Sequence, residues 1–335
     1  MATEDRDTVI EKELDEIKSR APSVDGLKLI ACVPMLVSAS ITKNEYKQLT
    51  VNIQFPADYP HQPILVQMKS KHLEQKFTDK LEKICEDEAK KWIGGRQVLV
   101  ILKFIRTFLE ENSLCVCSEE IVYIKRELIG ESDEIKLKQK ASQIVIKVRQ
   151  KNYFMNVNIS VPDLYPKHQI QTELIDTNLP DLLRINFMAQ AKELARQCVT
   201  PPLLKNSKSA AVFEHKPSLK VVCNYLIRDC VKRYPLENCP LCKKHVLAED
   251  PENQLKGRKN QIEGVYCCHL FHNGCLDTYM YMKTPPFIGG KKSPSCDKRI
   301  YHEKWKVSAE VMENRWAHKQ AKQRELEEVV DFLKD

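Results

Sequence analysis

"VNIQFPADYPHQPI" (residues 51–64) and "VNISVPDLYPKHQI" (residues 157–170) share seven of fourteen positions without a gap. Each closes a strand-like run, "EYKQLTVNIQF" in the first copy and "NYFMNVNISV" in the second. Each is preceded by another alternating run, "LVSASITKN" (36–44) and "SQIVIKVRQ" (142–150), which reads as its hairpin partner. A short apolar strand follows each copy, at 64–70 and 170–176. Helical periods come next, at 73–93 and 179–199, and a second helix at 96–112 and 217–234 closes each copy. Helical stretches near residues 4–20 and 119–129 open the two copies. A repeat of this length marks a duplicated domain and not a solenoid. The shared element is Tyr-Pro after a strand. Proline fixes its own φ and biases the residue before it towards an extended conformation, so the chain leaves the sheet through a stiff turn.

The rest of the composition suits this reading. The chain has 335 residues, enough for two or three domains, with 42% hydrophobic and 30% charged residues. It has no apolar run of the roughly eighteen residues a membrane helix needs, so no spanning segment is expected. The net charge of +7 is modest, and "KGRKN" (256–260) reads as a solvated loop. This argues against a nucleic-acid partner. The charged, amphipathic start is unlike a secretory signal. With thirteen cysteines, a reducing cytoplasmic or nuclear setting is expected, in which clustered cysteines point to metal. Cys32, Cys85, Cys198, Cys223 and Cys230 stand among apolar residues and read as buried thiols. Cys115 and Cys117 read as a domain junction.

With Tyr59, Pro60 and Pro63 in the first copy and Tyr165 and Pro166 in the second, each copy resembles the RWD family, a relative of the ubiquitin-conjugating fold. Gln169 takes the place of the second copy's final proline. The resemblance implies a helix, a meandering antiparallel sheet, the Tyr-Pro turn and carboxy-terminal helices. An active conjugating enzyme would need a nucleophilic cysteine just after the sheet, preceded by His-Pro-Asn. "ILVQMKSKHLEQKF" after Pro63 has neither, and the second copy has no cysteine until Cys198. Both copies therefore read as binding folds without catalysis.

Beyond residue 234 the chemistry changes. Cys239 and Cys242 form a C-x2-C pair; after a polar spacer come Cys267, His269, His272 and Cys275, and later Cys296. Zinc takes four Cys or His ligands in a tetrahedron, and C-x2-C presents two of them on a tight turn. The order resembles a RING finger of the RING-H2 type, in which eight ligands hold two interleaved zinc ions. The resemblance implies one complete site, Cys239, Cys242, His272 and Cys275. The second would be Cys267, His269 and Cys296, with Ser293 where a cysteine is expected. A serine hydroxyl is a poorer zinc ligand than a thiolate. Zn2+ is therefore expected firmly at the first site and weakly at the second, where Cys268, Asp297, His302 or water are candidates for the fourth position. His245 and His302 otherwise read as bystanders. Residues 235–302 look poor in apolar side chains, so metal is expected to supply most of their folding energy.

RING domains bind a ubiquitin-loaded conjugating enzyme and orient its thioester for attack by a substrate lysine, catalysis without a covalent intermediate. The resemblance places the docking residues at Leu241, Tyr279 and Pro294, whose local alternative is packing of a small domain. Where many active members have Arg or Lys after the last ligand, this chain has Asp297, followed by Lys298 and Arg299. The tail, with Val311, Trp316 and Leu326, reads as helical. The expected fold class is α+β. Its parts are two RWD-like domains (1–117 and 118–234), a small zinc-bound RING-like domain (235–302) and a C-terminal helical tail (303–335). The layout resembles that of the Fanconi anaemia RING-type ubiquitin ligase subunit. The function it implies is a ubiquitin-protein ligase or ligase subunit, with a substrate or complex partner on the RWD-like domains. The alternative is a non-enzymatic scaffold with a degenerate pseudo-RING.

Overall fold

Leu49, Val51 and Ile53 are fully buried while the residues between them are half-buried, so the first quoted stretch is one strand of a sheet with a single packed face. The computed structural model describes residues 6–201, 213–255, 261–265, 269–281 and 291–300, and the chain splits into two units, Met1–Tyr234 and Pro235–Asp335. In the first unit, β1 (Leu27–Val33), β2 (Leu36–Thr42), β3 (Gln48–Gln54) and β4 (Leu65–Lys69) form an antiparallel meander in sequence order. Helices α1 (Arg6–Arg20), α2 (Gln75–Lys90) and α3 (Val98–Glu111) share a core with it. Ile10, Leu14 and Ile17 from α1, Leu81 and Cys85 from α2, and Ile101, Leu102 and Ile105 from α3 join Val37, Ile41, Val51 and Ile53 in one cluster. Burying each such side chain stabilises the fold by about 1.5–3 kcal/mol.

After a 3-10 turn at Ser113–Cys117 the same order returns. Helix α4 (Ser118–Tyr123) runs into a π turn, Ile124–Leu128. Strands β5 (Glu134–Lys138), β6 (Gln143–Gln150), β7 (Tyr153–Ser160) and β8 (Gln171–Thr177) form a second meander. Helix α5 (Asp181–Val199) follows, and α6 (Leu219–Asn224) continues as a π-helical segment, Tyr225–Lys232. The alternation in the sequence misses β1 and β5. A bulge between Leu29 and Ala31 breaks the two-residue period of β1, and β5 is a five-residue edge strand with no buried residue. The strand expected over 36–44 stops at Thr42, because the Asn44 side chain accepts hydrogen bonds from the Tyr46 and Lys47 N–H groups and turns the chain.

The two Tyr-Pro turns are held by one polar device, built twice. The Tyr59 hydroxyl donates to Glu13 Oε2, while Glu13 Oε1 accepts the Val98 N–H at 2.8 Å and the Gln97 N–H donates to the Tyr59 oxygen at 3.3 Å. In the second half Tyr165 donates to Glu120 at 2.6 Å, Lys220 N–H to Glu120 at 2.8 Å and Leu219 N–H to Tyr165 at 3.1 Å. The first N–H groups of a helix have no partner within it, and a carboxylate there satisfies them and suits the helix dipole. Both Tyr-Pro bonds are cis. The buried surroundings push the Glu13 and Glu120 carboxyls above the usual range, although the tyrosine and backbone donors pull the other way. Cys85, Cys223 and Cys230 are buried as expected, but Cys32 and Cys198 are only half-buried, Cys32 on the edge strand β1 and Cys198 in the last turn of α5.

The second unit contains a short helix α7 (Pro251–Leu255), an antiparallel pair of β9 (Ile262–Gly264) with β10 (Leu270–His272), and α8 (Asn273–Tyr281). The expectation of an apolar-poor module is corrected here. Val246, Leu247, Ile262, Val265, Leu270, Phe271, Leu276 and Ile300 are all buried. These residues stand singly or in pairs between polar ones, so no periodic run advertises them. Residues 256–260, Cys267, Cys268, His302 and the tail at 303–335 lie outside the described residues. Among the described residues no helix is long and apolar enough to cross a membrane.

Candidate metal centre

Cys239 opens a tight turn. Its N–H donates to the Lys244 carbonyl and its carbonyl accepts the Lys243 N–H, both at 2.8 Å, with Lys243 at φ +63°. An isolated bridge between Asn238 and His245 closes the hairpin. This geometry brings the Cys239 and Cys242 thiols to one side. His272 ends β10 and Cys275 lies in the first turn of α8, so a strand end and a helix start deliver the other two groups. The ligand atoms of Cys239, Cys242, His272 and Cys275 all lie within 4.8 Å of one another. His272 Nδ1 is 3.3 Å from Cys242 Sγ and 3.7 Å from Cys275 Sγ. A tetrahedral zinc with ordinary Zn–S and Zn–N bonds separates such atoms by roughly 3.6 Å.

The charge pattern also fits a dication. Burial opposes ionisation of Cys239, but the N–H groups of Cys242, His272 and Leu241 together outweigh it and hold this thiol below its usual range. Burial and the neighbouring Cys242 and Cys239 sulfurs push Cys275 the other way, up to about 12. Three thiolates this close repel one another, and a bound cation removes that conflict. The second nitrogen of His272, Nε2, sits 2.9 Å from the His245 carbonyl. A carbonyl only accepts, so Nε2 carries the proton and the Nδ1 lone pair faces the sulfurs. His245, read as a bystander, thus orients a ligand through its backbone, a role that side-chain spacing does not encode. The donor set therefore fits zinc: these four residues can hold one ion.

A second turn of the same build lies at Ser293–Lys298. Ser293 N–H donates to the Lys298 carbonyl at 2.7 Å, Asp297 N–H to the Ser293 carbonyl at 2.9 Å, and Asp297 has φ +55°. A bridge between Lys292 and Arg299 closes it. Ser293 therefore occupies the place of Cys239, and Cys296 that of Cys242. Ser293 is 1% exposed, and the Ser295 N–H points at its Oγ from 3.4 Å. Among the described residues, no group of three or more ligand atoms other than the Cys239 cluster forms. Cys296 and His269 are placed outside that cluster, and Cys267 lies outside the described residues.

Leu241 is half-buried in the first turn and Pro294 exposed in the second. Tyr279 in α8 donates its hydroxyl to the Lys292 carbonyl at 2.8 Å, and Lys291 lies over its ring at 4.9 Å. Tyr279 thus ties α8 to the second turn, a structural task beside the docking role the sequence suggested. Asp297 pairs with Lys292 at 2.6 Å. In a comparison with protein families, residues 6–109 match the RWD domain. No curated protein matches the chain.

Proposed function

We propose that the chain is a RING-type ubiquitin-protein ligase or ligase subunit. Its RWD-like region holds a substrate or complex partner, and its zinc module recruits a ubiquitin-conjugating enzyme. The observation that carries this reading is the pair of like-built turns, one of them completing a Cys3His cluster, in a chain whose N-terminal residues 6–109 match the RWD domain. The second meander, with its own Tyr-Pro turn and Glu-Tyr device, supports a second RWD-like domain over 118–234. The proposed division is 1–117, 118–234, 235–302 and 303–335, and the break between the two units after Tyr234 supports the boundary there. The zinc is structural, with a closed ligand set and no open position. Leu241, Tyr279 and Pro294 are the proposed docking residues, and the cytoplasm or nucleus the proposed setting.

Within this reading the chain's residues perform no covalent step. Leu241 and Pro294, each carried on a tight turn, present apolar surface to the conjugating enzyme, and Tyr279 fixes α8 against the second turn. Rate enhancement then comes from holding the ubiquitin thioester where a lysine amine can attack. A second reading, a pseudo-RING scaffold, is favoured by two observations: Ser293 is buried where the first turn has Cys239, and Asp297 is engaged by Lys292. Ubiquitination reactions with the full chain and a panel of conjugating enzymes separate the two. Chain formation with at least one enzyme, lost in Leu241→Ala, supports the ligase. Inactivity across the panel, with partner binding intact, supports the scaffold.

A further inference from the structure

The seam between the two halves of the first unit holds a charge that ubiquitin chemistry does not use. Lys47 is 0% exposed, and its Nζ lies 3.1 Å from Asp163 Oδ1. Lys43 Nζ is 3.5 Å from the same oxygen, and Asn44 Nδ2 donates to the Asp163 carbonyl at 2.8 Å. Three residues of the β2–β3 turn therefore converge on one residue of the other half's Tyr-Pro loop. Asp163 is not part of the pattern the halves share, since Ala57 stands at its place in the first copy.

A second set of contacts crosses the seam. The Leu114 N–H donates to Gln139 Oε1 at 3.3 Å, and Lys140 pairs with Glu111 at 2.7 Å. The Lys140 pair is largely exposed and contributes little. Lys47 differs in kind. An ammonium with no solvent access is held against desolvation by its partner, so removing the partner strands a buried charge. The Asp163 side chain is 66% exposed, so the anion of the pair stays in water while the cation does not. The connecting turn carries Cys115 and Cys117, at 5% and 1% exposure, and Lys47 opposes the rise that burial causes in both thiols.

We propose that Lys47 and Asp163 form a lock that makes the two halves one rigid body, and that its release opens the seam at Cys117 before either half unfolds. Pulsed maleimide labelling of the full chain, resolved by peptide mass spectrometry, tests this with native reporters. Cys117 reports on the seam, while Cys85 and Cys223 report on the interiors of the first and second halves; Cys115 packs in the same core cluster as Cys85 and does not separate the two. In Asp163→Asn, Cys117 should label more than about tenfold faster, with Cys85 and Cys223 unchanged. Adding Lys47→Met removes the stranded charge and should return Cys117 to within about threefold of its native rate. Three results would overturn the proposal: unchanged Cys117 labelling in Asp163→Asn, all three cysteines accelerating together, or a double variant as fast as the single one.

Discussion

At the scale of single residues, two positions matter most, Glu13 and Ser293. Glu13 is 1% exposed and joins the Tyr-Pro turn to the start of α3. Replacing it with Ala strands a hydroxyl and an N–H, and should cost about 2–4 kcal/mol in chemical denaturation. Its carboxyl titrates above the ordinary glutamate value in the folded state because of burial. A raised acid binds its proton more readily folded than unfolded. Its contribution is therefore full below the ordinary value of about 4.3 and is lost as pH rises through the raised one. Glu13→Gln should flatten that fall in the denaturant midpoint; an unchanged pH slope would count against the burial argument. Ser293 is the second position. Its turn already has the backbone bonds of the Cys239 turn, so Ser293→Cys adds a thiolate without rebuilding anything. Chelator titration with metal analysis should show one firmly held ion in the native chain and two in Ser293→Cys. Two equally firm ions in the native chain would show that another residue completes the second site.

At the scale of elements, the matched turns and α8 decide whether Tyr279 packs or docks. Its hydroxyl bond to Lys292 predicts that Tyr279→Phe lowers the thermal stability of the zinc module by about 1 kcal/mol. No loss would leave docking as its main role. Leu241→Ala should abolish ubiquitin transfer while zinc content stays native, because Leu241 supplies the Cys239 thiol with a backbone N–H that the substitution keeps. Much at this scale was legible in the sequence. The repeated strand and Tyr-Pro pattern gave β2, β3, β6 and β7, and the helical periods gave α2, α3 and α5 to within a few residues. The edge strands β4 and β8 were read at 64–70 and 170–176, but the opening edge strands β1 and β5 were not legible, since a bulge in β1 and two-sided exposure in β5 erase the alternation. At the metal centre the spacing marked the candidate ligands, and the RING resemblance implied the grouping of Cys239, Cys242, His272 and Cys275 that the cluster shows. The His245 carbonyl could not be read this way, because any residue there offers one.

At the scale of the whole molecule, the proposed function divides labour between a binding unit and a metal-binding unit. Residues 1–234 should fold alone and retain the partners of the full chain in pull-down; loss of all binding with the zinc module would contradict that division. The proposed role of the metal-binding unit is to orient a conjugating enzyme's thioester. It is tested most directly by single-turnover discharge, in which a preformed conjugating enzyme–ubiquitin thioester is mixed with free lysine and the full chain. The native chain should speed discharge for at least one enzyme of a panel. Cys242→Ala, which removes a ligand of the complete cluster, should then return the rate to background. Discharge that the native chain leaves at background with every enzyme, in protein shown to carry its zinc, would rule out the ligase role.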